Sequence, residues 1–89
     1  MAKERIVLQD EQEQVSTRFV SFMASSHRYE LAILTCDRFN GKTMVIDLNS
    51  DHYGMLNKED VQRNGVIEHT FHLSEMEAEE LKSFLSDTL

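Results

Sequence analysis

The residues with the greatest potential for chemistry lie between Asp47 and Tyr53. Asp47, Asn49 and Asp51 place oxygen donors at alternate positions, the pattern that opens a calcium loop, where ligands spaced by two converge as the backbone curls around a cation. The rest of that motif fails. His52 stands at the sixth position, where the sharp turn needs glycine, and Lys58 at the twelfth, where a bidentate glutamate is required. An Asx-type turn after a strand is the better reading. The same stretch offers one more candidate: Asp47, Asp51, His52 and Tyr53 at the mouth of a pocket, in an enzyme or a small-ligand or metal-binding protein. Its support is the clustering of polar groups in a loop.

Other reactive side chains are scattered. His69 and His72 are three apart, a spacing that shares a metal on a helix but points to opposite faces in a strand. His27 and His52 read as exposed loop residues. Cys36 lies between Thr35 and Asp37 with no assignable histidine partner, so it reads as a small buried hydrophobe rather than a nucleophile. No glycine-rich phosphate loop, nucleophile elbow or two-histidine metalloprotease signature occurs. No catalytic residue, metal site or cofactor is therefore assigned.

The elements that must position these groups centre on Arg28–Leu48, RYELAILTCDRFNGKTMVIDL. Two runs of strand formers flank Asn40-Gly41, the pair favoured where a type I′ turn needs two positive φ values. A two-residue loop sets Phe39 opposite Lys42, Thr35 opposite Ile46 and Ile33 opposite Leu48 on the core side. Leu34 opposite Asp47 and Cys36 opposite Val45 then fall on the other side. Gln14–Ser25 is a preceding strand with large apolar groups on both faces, giving a three-strand meander. Arg5–Leu8 is a candidate edge strand, and Val66–Leu73, VIEHTFHL, alternates as a half-exposed one. Asn49–Gly65 is the longest irregular connection, with a helical turn capped by Asn57 and ended by Asn64-Gly65. Ser74 and Glu77 form a capping box, and the helix that follows runs to about Asp87 with Ala78, Leu81, Phe84 and Leu85 on one stripe. The expected fold is α+β: an antiparallel meander of four or five strands with a C-terminal helix on one face.

Eighty-nine residues support one domain, 1–89, with a modest core. Sixteen acidic against nine basic residues give a net charge of −7, and the basic residues form no stripe, which argues against nucleic acid and anionic lipid as partners. No apolar leader or membrane-length apolar run is present, and the single cysteine suits a reducing compartment, so a cytosolic setting is expected.

RFVSFM at Arg18–Met23, the Arg28–Leu48 stretch and the acidic terminal helix together resemble a family of small cytosolic proteins of Gram-positive bacteria, a domain of unknown function. The resemblance covers most of the chain and implies a bacterial cytoplasmic setting, with no activity, cofactor or site residue attached to it.

One helix covers one face of a sheet, yet both faces carry apolar residues. The surplus set, Val20, Phe22, Ala32, Leu34, Cys36 and Val45, predicts an interface for another protein, most simply a second copy in a homodimer. The competing arrangement folds the Asn49–Gly65 loop over that face within one chain.

Overall fold

The computed structural model describes residues 4–25 and 27–89. Four strands, β1 (Ser16–Ala24), β2 (His27–Thr35), β3 (Thr43–Asp47) and β4 (His52–Leu56), form an antiparallel meander in the order β1-β2-β3-β4. Three helices follow: α1 (Lys58–Gln62), α2 (Val66–Phe71) and α3 (Glu75–Thr88). The fold is thus the expected α+β meander with a C-terminal helix. Residues 4–15 precede the sheet as an exposed arm, so the Arg5–Leu8 strand is not formed.

Asn40 and Gly41 do adopt positive φ, at 55° and 81°, and the Lys42 amide donates to the Phe39 carbonyl across them at 3.1 Å. The ladder does not start from this turn. Asp37–Phe39 winds into a 3₁₀ turn, with the Phe39 amide donating to the Cys36 carbonyl, and the last pair of the β2–β3 ladder is Leu34 with Met44. Ile33 therefore faces Val45 rather than Leu48, and Leu34 faces Met44 rather than Asp47. The offset is an odd number of residues, so it turns β3 over relative to the expected pairing.

Two further expectations are corrected. The fourth strand is His52–Leu56, inside the stretch expected to be irregular, and Val66–Phe71 is helix rather than strand. Ile67 and Phe71 are four apart, a spacing that serves one face of a strand and one face of a helix equally. Both are buried, and Gly65 (φ 80°) and His72 (φ 55°) bound the helix with left-handed residues.

The core lies between the sheet and the helices. Tyr29, Leu31, Ile33, Val45 and Leu56 meet Val61, Ile67, Phe71, Ala78, Leu81 and Leu85, with Phe22 stacked between Tyr29 and Phe84 at ring-centroid distances of 4.8 and 4.6 Å. The stripe on α3 is the expected one, and each large apolar side chain buried there contributes about 1.5–3 kcal/mol. Both caps form: Ser74 accepts from the Glu77 amide while Glu77 accepts from the Ser74 amide, and Asn57 and Asp60 do the same for α1. Gly54 on β4 lets α2 approach closely, since a Cβ there would lie 2.5 Å from Thr70 Cγ2.

Candidate functional site

Backbone register determines what shares a face, because residues directly opposite in an antiparallel ladder project to the same side. Phe19, Ala32, Ile46 and Tyr53 form one row across all four strands. Thr17, Leu34, Met44 and Met55 form the next. Helices α1, α2 and α3 join the core through the opposite side of the sheet, so these rows make an open face. Phe19 is 77% exposed, Met23 66% and Tyr53 62%, whereas Ala32 is buried beneath its neighbours. Leu34, Met44, Ile46 and Met55 are half-buried. The Asn49–Gly65 segment does not fold over this face, because it supplies β4 to the sheet and α1 to the other layer.

The charge pattern sets the open face apart. Among its described strand positions only Arg28 and Glu30 are ionic, and they pair with each other, Nε to Oε1, at 2.9 Å. The acidic residues of α3, Glu75, Glu77, Glu79 and Glu80, sit in the other layer. A molecule of net charge −7 thus presents an apolar surface with no uncompensated charge on its strands.

The expected interface set is split by the register. Ala32 and Leu34 lie on the open face. Val20, opposite Leu31, and Phe22, opposite Tyr29, turn toward the helices and pack against the core, and Val45 is fully buried within it. Cys36 lies beyond the last ladder pair, half-buried in a broad groove between residues 12–16 and the β2–β3 connection. Phe19, Met44, Ile46, Tyr53 and Met55 take the places of the displaced residues. Alternation of Phe19 with Val20 and of Met55 with Leu56 was the available signal, but it is equally apolar on both sides.

The Asp47–Tyr53 residues do not converge. Asp47 is buried on the helix side, where its Oδ1 accepts from the Asn49 amide at 3.0 Å in the expected Asx turn. Asp51 is exposed at the tip with φ 64°. His52 faces the helices and stacks on His72 with ring centroids 4.2 Å apart, its Nδ1 making no hydrogen bond among the described residues. Tyr53 points to the open face. Among the described residues no group of three or more His, Cys, Asp and Glu is placed to hold a metal ion, and no helix is long and apolar enough to cross a membrane.

A polar cluster joins the β1–β2 end to α3. The Tyr29 hydroxyl donates to Glu80 Oε1 at 2.7 Å and lies 3.0 Å from the Glu77 carbonyl oxygen, while His27 Nδ1 is 3.2 Å from Glu77 Oε2. Burial, reinforced by the hydrogen bond and the charge of Glu80, pushes the Tyr29 phenol well above its ordinary 10.0. Hydrogen bonds from Ser25 and Tyr29 hold the Glu80 carboxyl below its ordinary range, and the Ser74 amide and hydroxyl do the same for Glu77. These groups satisfy one another and fasten α3 to the sheet.

A family model described as SAV0927-like matches residues 8–87, a span that includes β1 to β4, α1, α2 and all but the last residue of α3. No curated protein matches the chain.

Proposed function

The chain belongs to the SAV0927-like family, and on that premise we propose that it is a non-enzymatic interaction module of the bacterial cytosol that forms a homodimer through the open face of its sheet. The carrying observation is the pair of apolar rows, Phe19-Ala32-Ile46-Tyr53 and Thr17-Leu34-Met44-Met55, left uncovered on an otherwise acidic molecule. Water-exposed apolar faces of sheets are normally covered, and two such faces pack about 10 Å apart in a sandwich. A two-fold arrangement brings like surfaces together without like charges, because the acidic helices end up on the outside.

Light scattering across a dilution series tests the reading directly. A mass of twice 10.4 kDa that falls to 10.4 kDa on dilution is expected. Leu34→Glu places a carboxylate in the centre of the apolar contact and should raise the dissociation constant by about tenfold or more while leaving the far-ultraviolet spectrum unchanged. A mass of 10.4 kDa at every concentration refutes the proposal.

A further inference from the structure

The open face alone is small for a stable dimer. Four strands spaced by about 4.8 Å give a width of about 19 Å, and a mean length of about 24 Å follows from the strand lengths at about 3.4 Å per residue. The outline is about 450 Å² of projected area, where a standard specific interface buries about 800 Å² of accessible surface per partner. Added area would bring the contact nearer to that size, and the arm is suited to supply it. Ile6, Val7 and Leu8 are consecutive strand formers that are 86%, 65% and 92% exposed. Glu11 is tied to Arg38 Nη1 at 2.7 Å, and residues 12–15 line the groove beside the β2–β3 connection. The arm is thereby led past the end of its own sheet, and the molecule measures 53 Å along its long axis against 31 and 24 Å across.

The matching acceptor is β1. It is a nine-residue edge strand without proline or bulge, and Arg18 is its one charged residue. No backbone hydrogen bond among the described residues leaves its outer side, so that side offers a row of free amides and carbonyls. Resting on the homodimer reading, we propose that residues 5–8 of each copy add as a fifth strand to the β1 edge of the other. In an extended arm Ile6 and Leu8 share one side, which falls beside the exposed Phe19 and Met23, and the main-chain bonds to β1 supply affinity as in other strand additions.

The test uses the full-length Ile6→Asp/Leu8→Asp variant, beside the wild type and Leu34→Glu, with sedimentation equilibrium and amide hydrogen exchange of β1. The variant should dissociate at about tenfold higher concentration or above, and the outward β1 amides, protected in the wild-type dimer, should exchange as exposed edge amides do. A dimer that Leu34→Glu breaks but the arm variant leaves intact, with β1 exchange unchanged, overturns the arm exchange and leaves the open-face dimer standing. Protection of β1 that persists in wild-type protein diluted to monomer puts the arm on its own edge, and likewise overturns it. A wild type that is monomeric throughout removes the open-face reading and this proposal together.

Discussion

Replacing Gly54 by alanine should destabilise the protein, although nothing in the backbone forbids it. Gly54 is a strand residue without positive φ, and filling such a position with alanine is worth about 0.5–1 kcal/mol in its favour through reduced chain entropy. The steric side opposes this. A Cβ would sit 2.5 Å from Thr70 Cγ2, whereas ordinary contact begins at 3.4 Å, so α2 or the Thr70 side chain must retreat by 3.4 − 2.5 = 0.9 Å. Overpacking of this order costs about 1–3 kcal/mol, leaving a net loss of up to about 2.5 kcal/mol with a mid-range value of about 1 kcal/mol. For a domain of this size the mid-range loss lowers the melting temperature by about 4–8 °C. Thr70→Ser removes the opposing methyl, so Gly54→Ala should be neutral or stabilising in that background. Urea denaturation of the four proteins in a double-mutant cycle measures the coupling. An equal cost of Gly54→Ala with Thr70 and with Ser at position 70 would refute the claim that the α2 contact dictates glycine here.

Two predictions concern pH. The Asn57 amide, then Lys42 and Arg63, hold the Asp60 carboxyl below its ordinary 3.8, so its contribution is complete above that value and is lost as pH falls through the depressed one. Asp60→Asn should therefore lose less stability than wild type on acidification, measured by urea midpoints between about pH 6 and pH 2. The Tyr29 phenol is shifted the other way, so its contribution is intact below 10.0, the value of the unfolded chain, and fades as pH rises above it. Tyr29→Phe should be less stable at neutral pH for want of the bond to Glu80, and should show a shallower alkaline decline in denaturation midpoints.

Features whose causes are local were legible in the residues alone. Asn40-Gly41 takes two positive φ values because few other pairs adopt them without strain, and Ser74 with Glu77 starts α3 because the two groups that satisfy the first orphan amides are three residues apart. The stripe of Ala78, Leu81, Phe84 and Leu85 required only helical periodicity. Long-range packing settled whatever depended on a choice between two locally acceptable states. The 3₁₀ turn at Asp37–Phe39 consumed residues that a two-residue hairpin would have paired, and so sent Val45 to the core and Met44 and Ile46 to the open face. Ile67 and Phe71 suited strand and helix alike until the close approach at Gly54 and burial against α3 made the segment α2. On β1, Phe19 and Phe22 were equivalent in type. The stacking of Phe22 between Tyr29 and Phe84 is what leaves Phe19 outside, because a face becomes interior only when another element arrives to cover it.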